Sequence, residues 1–182
     1  MIDSETELEE VYLQPGEMFL AREPTIIRTL LGSCVGVTFW SRRLGIGALC
    51  HAMLPRCPES SLEAVSPKDG YRYVDFAIRD IGRKLDELGV HRSEVEVKVF
   101  GGADVLLGED MSLIKPSLGN QNCDSAFDVL QAEGFQVMAS SLRGTSGLKL
   151  HFYTESGDVL VRRLEDRSLL PKPRKKTKRR RA

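Results

Sequence analysis

The sequence predicts an α/β fold of the α+β kind, a layered sandwich of largely antiparallel and mixed β-sheets flanked by helices. Three observations carry that expectation. Short apolar runs, most of three to seven residues and rich in Val, Ile and Phe, recur along the chain between turn signals. Only two segments carry a helical spacing of apolar residues. No internal repeat is present, so neither a solenoid nor a propeller is expected.

The elements follow in order. Residues 1–10, MIDSETELEE, read as a flexible acidic lead-in. VYL (11–13), MFLA (18–21) and TIIRTLL (25–31) read as strands, separated by Gly16 and Pro24. VGVTFW (35–40) is β-branched and aromatic, and a second extended run, LGIGALCHAML (44–54), follows Ser41-Arg42-Arg43 and ends at Pro55. Residues 56–70, with Pro58, Pro67 and Gly70, read as a surface loop. From Tyr71 to Leu88, Tyr73, Ala77, Ile81, Leu85 and Leu88 recur at three- and four-residue steps among Arg79, Asp80, Arg83, Lys84 and Asp86. This predicts an amphipathic helix stopped by Gly89. VEVKVF (95–100) alternates like a strand and runs into Gly101-Gly102. A second helix, capped by Asn122 or Asp124, is expected to end at Gly134. FQVMAS (135–140), LKLHFYT (148–154) and DVLVRRL (158–164) complete a total of about eight to ten strands.

With 182 residues, 41% apolar and 29% charged, the chain suits one soluble domain, expected to span 11–168. No run approaches the roughly 20 apolar residues that span a bilayer, and the acidic start is unlike a secretory signal. A cytoplasmic protein is therefore expected. The net charge of zero conceals an asymmetry. Eight of the 26 basic residues lie between Lys172 and Arg181, leaving 18 against 26 acidic ones. Residues 169–182 are expected to form a disordered basic tail, able to touch RNA, anionic lipid or an acidic partner, or simply solvated.

The four cysteines are Cys34, Cys50, Cys57 and Cys123. Without an export signal a disulfide framework is not expected, and no CxxC or HxxxH pair supplies zinc ligands, so no metal and no cofactor is expected. Gly101-Gly102 lacks the G-x-G-x-x-G pattern and reads as a tight turn rather than a phosphate loop. His91 reads as a surface-turn residue and His151 as a strand residue.

Cys34 and His51 form the candidate reactive pair. A hairpin with a four-residue loop, Ser41 to Leu44, places Trp40 opposite Gly45, Thr38 opposite Gly47, Gly36 opposite Leu49 and Cys34 opposite His51. Opposed residues share a sheet face, with Cβ atoms about 4.5–5.5 Å apart. Only a thiolate is a useful nucleophile, and a neighbouring imidazole can take the proton, forming a thiolate–imidazolium pair. Gly32 and Ser33 leave room for a substrate, and backbone N–H groups at such a turn can hold an oxyanion. From the residues alone, a buried core cysteine and an interior histidine remain an equal alternative. Cys50 would face away from this site.

LGSCVGV with HAMLP seventeen residues on, KVFGGAD (98–104), LGNQN (118–122), GTSG (144–147) and LHFYTESGDVLVRRL (150–164) together resemble the CheD family of bacterial chemotaxis proteins, from about residue 12 to 165. The resemblance implies a cytoplasmic glutamine deamidase acting on chemoreceptors, a protein-glutamine glutaminase, with the cysteine-hydrolase fold type of glutamine-deamidating bacterial toxins. It implies Cys34 as nucleophile, His51 as base and a threonine in the preceding strand to orient the histidine, with Thr29 the better candidate and Thr25 the poorer. The sequence departs from the family's pattern at Leu148-Lys149 and at Asn120-Gln121. The same chemistry would hydrolyse glutamate methyl esters. Two other classes stay open: a binding partner of a CheC-type phosphatase, and a cysteine hydrolase of other amides or peptides.

Overall fold

The structure is a computed structural model that describes residues 8–58, 65–104 and 116–164. The expected basic tail lies outside the described residues, as do residues 1–7 of the acidic lead-in. Glu9 and Glu10 already belong to a strand, where the Glu10 carboxylate pairs with Arg28 on the neighbouring strand.

Nine strands are found among the described residues: β1 (Glu9–Tyr12), β2 (Met18–Ala21), β3 (Thr25–Leu31), β4 (Val35–Ser41), β5 (Ile46–Ala52), β6 (Val95–Gly101), β7 (Val137–Leu142), β8 (Leu148–Tyr153) and β9 (Val159–Arg163). They form two mixed sheets, one ordered β1-β3-β8-β9 and one ordered β2-β5-β4-β6-β7. The pairs β1/β3 and β6/β7 are parallel and the others antiparallel. The helices are α1 (Pro67–Gly70), α2 (Val74–Glu87) and α3 (Leu118–Ala132).

Side-chain alternation sorts these elements into three layers. Ile27 and Leu31 of β3 and Leu148, Leu150 and Phe152 of β8 meet Trp40, Leu49 and Phe100 of the five-stranded sheet, forming a core between the sheets. The opposite face of that sheet, with Val35, Val37, Phe39, Ala48 and Cys50, packs against Ala77, Ile78, Ile81 and Leu85 of α2 and Ala126, Val129 and Leu130 of α3. Strands β4 and β5 are covered on both faces and buried at every position, which accounts for their nearly continuous apolar sequence.

Two local expectations are corrected. The hairpin joining β4 and β5 pairs Ser41 with Ile46, Trp40 with Gly47 and Gly36 with His51. Its loop is Arg42 to Gly45, one residue later than the polar Ser41-Arg42-Arg43 suggested. Ser41 is fully buried and paired on both sides, with Ile46 and with Val95, while Gly45 takes the left-handed conformation, φ +64°, that closes the turn. The partner of each β4 residue thereby moves by two positions. The second correction concerns α3, which is capped by Ser117 and not by Asn122 or Asp124; the Ser117 hydroxyl accepts from Asn120 N–H. Asn122 points into the protein instead.

Candidate active site

Strand β3 lies in one sheet and β4 in the other. The chain crosses between them through three residues, Gly32, Ser33 and Cys34, which belong to neither hydrogen-bond ladder. Their carbonyls are all held: Gly32 O accepts from Ala103 N, Ser33 O from Asn122 Nδ2, and Cys34 O from Gly102 N. Among the described residues, the N–H groups of Gly32, Ser33 and Cys34 donate to no carbonyl. The crossover is half-buried, so these donors lie near the surface beside the Cys34 thiol.

Glycines let the neighbouring backbone come this close. Gly101 sits at φ +99°, and a Cβ there would run into the Cys34 carbonyl oxygen. The tight turn expected at Gly101-Gly102 thus forms the inner wall of the crossover.

His51 is buried at 2% exposure, in the core between the sheets. A shift of two in register keeps it on the same face as Cys34, because faces alternate with a period of two. Gly36, not Cys34, is its direct opposite, and Cys34, one residue before β4 begins, packs against the same inter-sheet core. The segment between β1 and β2 grips the histidine backbone: Gly16 N donates to His51 O at 2.7 Å, and His51 N donates to Glu17 O at 2.9 Å.

Thr29, in the other sheet, is 1% exposed, and its Oγ1 lies 2.8 Å from both Leu13 O and His51 Nδ1. A hydroxyl has one hydrogen, and a carbonyl can only accept. The Thr29 hydrogen is therefore donated to Leu13 O, and Nδ1–H of His51 donates to Thr29. This fixes the neutral tautomer and leaves Nε2 unprotonated, and that nitrogen is buried with no hydrogen-bond partner among the described residues. Thr25, by contrast, donates its hydroxyl to Glu23 O and its N–H to Thr154.

Burial sets the electrostatics. It pushes the His51 imidazole down to about 4, against the opposing influence of the Leu13 carbonyl and the Glu17 carboxylate. It also raises the Cys34 thiol, an effect partly opposed by that residue's own N–H. Both shifts favour the neutral forms, thiol and imidazole, over the charged forms of a thiolate–imidazolium pair. Cys50 faces the helices, with its thiol pushed up to about 12.

The sequence matches a known family. Residues 53–163 match the family model described as CheD chemotactic sensory transduction. The chain is 42% identical over 157 residues to a protein of Geobacter sulfurreducens named "Probable chemoreceptor glutamine deamidase CheD 2", which covers 86% of this chain and 91% of that one. It is 38% identical over 169 residues to a "Probable chemoreceptor glutamine deamidase CheD" of Maridesulfovibrio salexigens, covering 91% of this chain and 98% of the relative. The chain belongs to the CheD family. The family-model match begins after Cys34 and His51, whereas the alignments with these relatives span most of the chain.

Two parts of the candidate site are not assigned a role in it from the sequence. The segment from Leu13 to Glu17, marked only by its Pro15-Gly16 turn, holds both Thr29 and His51. Asn122, read as a helix cap, reaches Ser33 O at 2.9 Å and Met53 O at 3.0 Å. The available signal is LGNQN (118–122), one of the stretches that carry the resemblance.

Proposed function

We propose that the chain converts glutamine side chains of chemotaxis receptors to glutamate, in the cytoplasm, with Cys34 as nucleophile, His51 as base and Thr29 orienting the imidazole. The observation that carries the chemistry is the Thr29–His51 hydrogen bond, which leaves Nε2 as the free basic nitrogen. Family membership and the relatives' names support the substrate class. Among the described residues, no helix is long and apolar enough to cross a membrane.

The steps follow from the groups present. His51 Nε2 takes the Cys34 proton as Sγ attacks the side-chain amide carbon, so charge develops only once substrate is in place. The N–H groups of the Gly32–Cys34 crossover receive the oxyanion. As the tetrahedral intermediate collapses, Nε2–H protonates the nitrogen, and ammonia leaves a thioester on Cys34. His51 then deprotonates water, which attacks the thioester carbonyl. Expulsion of the Cys34 sulfur, with return of the proton, releases glutamate. A glutamate methyl ester would follow the same course, losing methanol instead of ammonia.

Incubation with receptor cytoplasmic fragments, followed by peptide mass spectrometry, tests this. Each converted glutamine gains about 1 Da, and Cys34→Ala abolishes conversion. Wild-type protein that converts none, or Cys34→Ala protein that converts as many, refutes the reading. Partnership with a CheC-type phosphatase is a separable part of the proposal: the Cys34→Ala protein should still bind the phosphatase.

A further inference from the structure

Asn122 is completely buried, and its side-chain amide nitrogen spends both hydrogens on backbone carbonyls, Ser33 O and Met53 O. These acceptors lie 89 and 69 residues away in the sequence, one immediately before Cys34 and the other two residues after His51. The amide orientation is unambiguous, because the reverse would set an oxygen against two carbonyls. Among the described residues its Oδ1 is left buried without a partner, a cost that a purely structural position would shed by substitution.

In a trans peptide the N–H points opposite to the C=O across one plane. Holding Ser33 O inward against Asn122 therefore turns the next group, Cys34 N–H, outward. The flanking carbonyls, Gly32 O and Cys34 O, are held by backbone donors, Ala103 N and Gly102 N. Among the described residues, Asn122 is the side chain that fixes this peptide plane.

We propose that Asn122 is a positioning residue for the oxyanion, aiming Cys34 N–H at the tetrahedral intermediate and tying the nucleophile's crossover to the strand that carries His51. This rests on the cysteine chemistry proposed above. The role differs from that of Ser125, one turn further along α3, whose hydroxyl donates to Pro55 O and does not touch the crossover.

The test separates reactions that form an oxyanion from one that does not. For wild type, Asn122→Leu and Ser125→Ala, three quantities are measured: kcat and KM for glutamine conversion in receptor fragments, the rate of Cys34 acetylation by p-nitrophenyl acetate, and the rate of Cys34 alkylation by iodoacetamide. Acetylation passes through the same oxyanion whatever the natural substrate, whereas alkylation, a displacement at saturated carbon, forms none. Asn122→Leu is expected to lower kcat and acetylation about 100-fold or more, with KM and alkylation within about threefold of wild type. Ser125→Ala should stay within about threefold throughout. If Asn122→Leu does not unfold cooperatively, Asn122→Asp, equal in shape but without the two N–H donors, takes its place under the same readouts. Acetylation at the wild-type rate overturns the proposal. So does an equal loss of acetylation and alkylation, or the failure of both variants to fold. A wild-type protein that is acetylated at Cys34 but converts no receptor glutamine refutes the deamidase reading alone.

Discussion

Thr29 Oγ1 stands 2.8 Å from His51 Nδ1 and 2.8 Å from Leu13 O, so one hydroxyl serves as acceptor for the imidazole and donor to the chain. Thr29→Val keeps the shape but removes both functions. It should lower kcat for glutamine conversion about 10- to 100-fold, within the range of general-base effects. It should also cost about 1–3 kcal/mol in urea unfolding, because Leu13 O and the imidazole N–H lose their partner. Thr29→Ser keeps the hydroxyl and should stay within a few-fold of wild type. Equal activity of Val and Ser variants would remove Thr29 from the site.

His51 makes folding stability depend on pH in a defined direction. It is neutral in the fold down to about 4, whereas an unfolded histidine titrates near 6.5. Below pH 6.5 the unfolded chain binds a proton that the folded chain does not. The contribution from this group is complete above 6.5, declines as pH falls, and is lost near 4. Its size is on the order of 3 kcal/mol. Urea unfolding at pH 7 and pH 4.5 should show a larger loss for wild type than for His51→Gln, since other titrating groups are common to both. Parallel losses would show that the imidazole charges freely in the fold.

Cys34 should be the thiol that reacts first under native conditions, because Cys50, Cys57 and Cys123 are buried and the crossover is half-exposed. Burial raises its thiol, so the alkylation rate of the free protein should still be climbing at pH 9. A plateau already reached below pH 8 would instead indicate a resting thiolate–imidazolium pair. Peptide mapping identifies the modified cysteine.

Gly101→Ala should be severely disruptive. A side chain at φ +99° is strained, and its Cβ would collide with the Cys34 carbonyl oxygen, so the crossover must move. Gly89→Ala provides the comparison: its φ is +70°, but nothing lies within 4 Å. The Gly89 variant should lose about 1–2 kcal/mol and keep its activity. The Gly101 variant should lose more stability and nearly all activity. Thermal denaturation with activity assays checks both, and similar behaviour of the two would refute a specific contact with Cys34.

The fold was legible where one residue's environment is set by its neighbours in sequence. Strand β3 runs from Thr25 to Leu31, as TIIRTLL suggested, because its buried and less buried positions alternate. Helix α2, from Val74 to Glu87, falls within the expected Tyr71–Leu88 for the same reason, at the helical period. The β4–β5 register is not legible because Ser41 looks like a turn residue, whereas it pairs with Ile46 of β5 and with Val95 of β6, more than fifty residues away. Even so, the two-residue shift preserved the face, so Cys34 and His51 still share one side. Asn122 was opaque for a stronger reason. Locally it is a polar residue near a helix start, and nothing nearby in sequence reveals that its partners are carbonyls at 33 and 53.

Cys34 rides on the link between two sheets, while Thr29 belongs to one sheet and His51 to the other. Neither sheet alone contains a working set of groups, however intact its own ladder. If the sheets part slightly on heating, the Thr29–His51 bond is among the first to stretch, and turnover should vanish before circular dichroism registers a change. The chemistry acts as a gauge of whether the sandwich is shut.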